Sequence, residues 1–170
     1  LKDKPVRLRP HLKTCKSIEV AKHLVVNTDA PITVSTLAEA EYFLDAGYTD
    51  ILYAVSITAQ KLPRVKALQM KGANITLLLD NLETALNVAR VGAELETTFP
   101  CLIEIDCDGK RAGLDADDAD LLVLLNAGID LPSNIPINIF PASSFKYKLS
   151  SKSLRTGIFL GKSLIVSVIT

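Results

Sequence analysis

What this chain lacks narrows it first. Its Lys+Arg 19 are balanced by Asp+Glu 19, so the 170 residues carry no net charge. Without a cationic surplus there is no field to draw it to nucleic acid or to an anionic membrane. Cysteine is scarce: Cys15, Cys101 and Cys107 are an odd number with no C-x-x-C pair. Such a set excludes a disulfide framework and reads as reduced thiols in a reducing, cytoplasmic compartment. No uninterrupted apolar run approaches the ~18 residues of a membrane span. The stretch from Gly157 to Thr170 is apolar but short, and Lys162 interrupts it. Short signatures are missing too. There is no G-x-G-x-x-G for a dinucleotide, no phosphate loop and no G-x-S-x-G elbow, and two histidines leave little from which to build a Ser-His-Asp triad.

What is present is a core. With 48% hydrophobic residues and 22% charged, the chain has the apolar surface that disordered segments lack, in a length of about one domain. Strand and helix signals alternate. Val6–Arg9 is a brief strand-like alternation ending at Pro10, and Ser17–Val26 repeats apolar residues at helical spacing. Ile32–Val34 is a short strand. Thr36 and Glu39 form a capping box for a helix that stops at Gly47, a residue suited to the left-handed end position. The cycle continues with strand Ile51–Val55, helix Leu62–Met70 closed by Gly72, strand Ile75–Leu79, a helix from Asn81 to Gly92, and strand Cys101–Ile105. Continuously apolar strands are buried on both faces, as in parallel sheets covered by helices.

The fold class is therefore α/β, either an open doubly wound sheet or a (β/α)₈ barrel. A whole barrel takes ~250 residues, so about five units make a partial one. Residues 1–125 hold these units, and 126–170 form a divergent tail. The tail is rich in proline, then in Ser and Lys, with one strand expected over Leu160–Thr170. With a start at Leu1, without Met and ahead of a strand-like segment, the chain is expected to be a piece of something longer.

Reactive side chains gather in two places. Arg9, His11, Lys13 and Lys16 crowd eight residues at the end of the first strand, the edge where parallel α/β folds place ligands. Crowded cations favour an anionic ligand, and a lysine kept partly neutral can form a Schiff base with an aldehyde. On composition alone a solvated basic loop is the commoner outcome. The second cluster, Asp106 to Gly113, follows strand Cys101–Ile105, and its glycines would allow close approach to a ligand held by Arg111. Asp106, Cys107 and Asp108 match no standard metal spacing and have no His nearby, so no metal is assigned there.

The first cluster, Arg9-Pro-His-Leu-Lys-Thr-Cys-Lys-Ser17, resembles the R-P-H-x-K-T-H-K segment of the metal-activated D-threonine aldolase and D-serine dehydratase family. That family comprises pyridoxal 5'-phosphate (PLP) enzymes with the alanine racemase-like barrel. Matching segments follow in order: Ile32 to Glu41, Asp50 to Ala54, Leu77 to Asp80, and Glu104 to Gly113. The resemblance covers about residues 5–125 and implies a partial (β/α)₈ TIM barrel of the alanine racemase N-terminal type. It implies a PLP-dependent lyase on small D-β-hydroxy amino acids, of aldolase or dehydratase type, in an enzyme that commonly dimerises. Lys13 would be the catalytic lysine holding PLP as a Schiff base. Arg111 would stand near the cofactor's phenolic oxygen, and His11 near the Schiff base.

Two departures qualify this. Cys15 stands where the family has His. The family's later strands, with their phosphate contacts, have no counterpart here, nor has the C-terminal β domain that binds zinc or manganese. A chain of this extent is expected to bind PLP weakly, to hold no metal and to leave a sheet edge unpaired. The alternatives are a non-catalytic PLP-binding barrel protein and an inactive truncated fragment.

Overall fold

Described here, from a computed structural model, are residues 8–25, 27–106, 112–115 and 117–120, with the strand segments 137–138, 157–160 and 163–168. The predicted alternation is present in order. Ser17 accepts the Val20 N–H and starts α1 (Ile18–Leu24), which ends early because Val25 is already extended. β1 (Ile32–Val34) is buried throughout. Thr36 Oγ1 accepts the Glu39 N–H at 3.0 Å to begin α2 (Leu37–Asp45). The other half of the capping box is shifted: Glu39 Oε2 accepts from the Ser35 N–H at 2.8 Å, one residue before the cap. Gly47, at φ +95, then turns the chain out of α2.

β2 (Asp50–Ser56) leads through a 3₁₀ turn at Ala59–Lys61 into α3 (Leu62–Met70). β3 (Asn74–Leu79) is followed by α4 (Leu82–Glu94), whose N-terminal Thr84 N–H is accepted by Asn81 Oδ1 at 2.7 Å. Gly92 does not end α4 as expected. It lies buried inside the helix, where a Cβ would meet the Thr97 carbonyl oxygen at 3.0 Å; what it provides is room for the returning chain. β4 (Cys101–Asp106) and β5 (Leu114–Asp115) follow, then β6 (Ile137–Asn138), β7 (Gly157–Leu160) and β8 (Ser163–Val168).

The chain divides into two compact units, with the division inside β3. The first is Leu1–Val55 with Pro63–Thr76, the second Ser56–Leu62 with Leu77–Thr170. In the first, β1 lies parallel to β2 with Ile32 opposite Ile51 and Val34 opposite Tyr53, and the Asn74 N–H donates to the Thr49 carbonyl at 2.8 Å. Its core includes Phe43 and Tyr48, which meet edge to face at 5.9 Å, with Ile51 and Leu68 fully buried. Each such aliphatic side chain contributes roughly 1.5–3 kcal/mol by leaving water.

In the second unit, Leu77–Leu79 pair in parallel with Cys101–Ile103, and β5 runs parallel to the end of β4. The strand expected over Leu160–Thr170 is β8, Ser163–Val168, and β7 pairs antiparallel with it, Leu160 opposite Ser163. β8 runs antiparallel along β4 from Cys101 to Asp106, satisfying a row of backbone groups on that strand. Among the described residues no helix is long and apolar enough to cross a membrane.

Candidate active site

The Lys13 cluster is built on backbone pairing. His11 bridges Thr33 in parallel, the Leu12 N–H donates to the Thr33 carbonyl at 2.9 Å, and the Thr33 N–H donates to the Pro10 carbonyl at 2.9 Å. Residues 10–12 thus lie beside β1, slightly later than the predicted strand at 6–9, of which residues 6 and 7 fall outside the described residues. Arg9 braces this segment: Nη2 pairs with Asp50 Oδ1 at 2.7 Å, and Nη1 donates to the Ile32 carbonyl at 3.0 Å. Leu12 is fully buried, and the chain then turns, closing with the Lys16 N–H on the Leu12 carbonyl at 3.0 Å. Lys16 takes φ +43, unusual for a residue with a side chain. The Cys15 thiol donates to the Leu12 carbonyl at 3.4 Å and so helps close the turn.

Lys13 stands exposed on this turn, and among the described residues no carboxylate pairs with it. Its backbone N–H donates to His11 Nδ1 at 3.4 Å. An amide can only donate, so Nδ1 is the acceptor and the neutral ring carries its proton on Nε2, which faces Ser35 Oγ at 3.4 Å. Burial, and then the Lys13 charge, hold the His11 pKa below its ordinary 6.5, against the opposing pull of Glu39 and a Thr33 backbone hydrogen bond. An aldehyde cofactor needs an amine that can be reached and is not locked in an ion pair. Lys13 meets both conditions, beside an imidazole kept neutral. Glu39 and Ser35 also belong to this cluster. In the sequence Glu39 reads only as part of a capping box, because a spacing of four from Ser35 carries no chemical signature.

The second cluster is only partly described. Asp106 is buried at the end of β4, whereas Cys107, Asp108, Lys110 and Arg111 lie outside the described residues. Gly113, at φ +120, has no room for a Cβ: one would lie 2.8 Å from the Asp106 nitrogen and 3.0 Å from the Glu104 oxygen. The close approach expected of a glycine here is thus to the chain's own β4, letting β5 begin beside it. At the end of β3, Ser56 Oγ and Asn81 Nδ2 both donate to Asp80 Oδ1, at 2.6 and 2.7 Å. Among the described residues no three His, Cys, Asp or Glu side chains converge as metal ligands would.

Comparison with known proteins brings these observations together. A sequence model of the alanine racemase N-terminal domain matches residues 2–135. D-threo-3-hydroxyaspartate dehydratase of Delftia sp. is 47% identical over 120 residues, 71% of this chain and 32% of the relative. Its solved structure superposes with a TM-score of 0.68 over 75% of this chain and 33% of that one. D-serine dehydratase of Dictyostelium discoideum is 31% identical over 65% of this chain and 30% of its own length. An alanine racemase-like protein from Idiomarina loihiensis is 49% identical, with a TM-score of 0.67 over 70% of this chain and 32% of that one. The chain thus spans about a third of the length of the curated relatives it matches. The shared fold is a partial (β/α)₈ barrel of parallel strands alternating with helices.

Proposed function

The chain belongs to the alanine racemase N-terminal domain family, and on that premise we propose that it serves as the cofactor-binding barrel of a PLP-dependent lyase acting on D-β-hydroxy amino acids. The observation that carries this reading is Lys13: an exposed amine with no carboxylate partner among the described residues, on a turn fixed at the end of a β-segment. When bound, that cofactor supplies an aldehyde for an amine to condense with and a ring that takes up the electron pair released at the substrate carbon.

The chain's own residues divide the remaining work. Lys13 would hold the cofactor through Nζ and, when not so engaged, serve as a base toward the substrate's α-proton or β-hydroxyl. His11, neutral near pH 7, adds no second positive charge beside that amine and keeps its backbone in place. Arg111 is assigned to the cofactor's phenolic oxygen. Loss of the α-proton with departure of the β-hydroxyl is dehydration; cleavage of the Cα–Cβ bond after deprotonation of the hydroxyl is the aldolase reaction. The 47% identity to a dehydratase makes dehydration the first reaction to assay. The described residues supply no ligand set for zinc or manganese, and no step is assigned to a metal.

The test is a titration with PLP followed by visible absorbance. A Schiff-base band that disappears in Lys13→Ala supports the reading, and the absence of any band in the unmutated chain contradicts it. Pyruvate from D-serine or acetaldehyde from D-threonine would name the reaction. Colour without either product would favour the alternative, a non-catalytic PLP-binding barrel.

A further inference from the structure

Glu39 does more than a helix cap requires. Thr36 already accepts the Glu39 N–H, so the start of α2 is satisfied without its carboxylate. Yet that carboxylate is kept, with its side chain 10% exposed, where an ionised group is costly unless something holds it there. Oε2 accepts from the Ser35 N–H at 2.8 Å, and Oε1 lies 3.3 Å from Lys16 Nζ. These two partners lead to the two ends of one turn. Ser35 Oγ meets His11 Nε2, and the Lys16 N–H closes the turn onto Leu12. Lys13 lies between them.

Lys16 supplies an independent observation. Its φ of +43 is a conformation that residues with a Cβ avoid, and such strain persists only where the surroundings hold it, often at functional sites. The side chain of this strained residue ends on Glu39.

We infer that Glu39 is a positioning residue for Lys13: one buried carboxylate, tied to Lys16 directly and to His11 through Ser35, fixes both ends of the 11–16 turn and so sets where the amine stands. What the amine then does rests on the function proposed above; the clamp itself does not.

The test uses Glu39→Ala, Glu39→Gln, Lys16→Met and the double variant Glu39→Gln with Lys16→Met. Two quantities are read. One is amide hydrogen exchange at Ser35 and Lys16 by NMR. The other is PLP trapped on Lys13 by borohydride, quantified by peptide mass against the exposed Lys71 in the same sample. In Glu39→Ala the Ser35 N–H loses its charged acceptor, and its exchange should rise about tenfold. The Lys16 N–H keeps the Leu12 carbonyl, so faster exchange there, and relative labelling of Lys13 lowered about tenfold, would report the loosened turn. Glu39→Gln keeps an acceptor for Ser35 and should lose only a few-fold. Lys16→Met should match it, and the double variant should lose no more than either single one, because all three remove the same ion pair.

Unchanged labelling in folded Glu39→Ala would overturn the inference, as would losses that multiply in the double variant. Should Glu39→Ala fail to fold, the Gln and Met variants decide by the same comparison. Should Lys13 not be labelled in the unmutated chain, the proposed function falls, and exchange alone judges the clamp: faster exchange in the variants upholds it and unchanged exchange overturns it.

Discussion

The Lys13 amide N–H donates to His11 Nδ1 at 3.4 Å, so the backbone of the residue carrying the candidate amine favours a neutral imidazole with its proton on Nε2. Protonating Nδ1 would set two donors against each other. The arrangement therefore favours a neutral ring, in the same direction as burial and the Lys13 charge.

That preference has a pH signature. With its pKa below 6.5 in the folded chain, His11 binds protons more readily in the unfolded one. Its contribution is complete above that value and is lost as pH falls from 6.5 toward the folded pKa. Because the ring is partly exposed, the slope should stay well under the ~1.4 kcal/mol per pH unit of one full proton. Urea midpoints measured on either side of that value should show the decline, and His11→Asn should flatten it.

Lys16 predicts an inversion of the usual ranking. Where φ is negative, glycine is less stable than alanine, but at φ +43 alanine keeps the strain that glycine relieves. Both substitutions remove the ion pair to Glu39. Lys16→Gly should therefore be more stable than Lys16→Ala by about 1 kcal/mol in chemical denaturation.

Gly113 predicts a loss. Lys16 already carries a Cβ, but here one would press on the Asp106 nitrogen and the Glu104 oxygen, at a φ that side chains avoid. Gly113→Ala should lower stability by about 2 kcal/mol or more and raise amide exchange along Ile105 and Asp106, which pair with β5.

Arg9 and Asp50 predict that a lysine will not serve. The guanidinium reaches a carboxylate and a backbone carbonyl at once, from two different nitrogens. Lysine offers one compact ammonium in place of that fork. Arg9→Lys should cost about 1–2 kcal/mol, and Asp50→Asn a similar amount, with the double change less than the sum.

Much of this was legible in the sequence where local chemistry decides the outcome. Thr36 and Asn81 each cap the helix that their residue type foretold, and Gly47 and Gly72 end theirs at positive φ. Gly92 misled because a glycine late in a helix reads as a stop, whereas the approach of Thr97 comes from outside the helical pattern. Gly113 misled for a similar reason: sequence shows that space is needed there, but not what fills it. Arg9 and Asp50 both stand in the resembling segments, yet their pairing spans 41 residues and no local spacing reveals it. Glu39 was hidden by a sufficient local explanation. Arg111, and most of the chain beyond residue 120, lie outside the described residues.

The central claim is that Lys13 takes up PLP covalently. The most direct measurement is to mix the chain with PLP, reduce with borohydride, digest, and map the phosphopyridoxyl group by mass. The account predicts a single label on Lys13, absent from Lys13→Ala. Label spread over the exposed lysines in both proteins, with Lys13 no richer than the others, would contradict it.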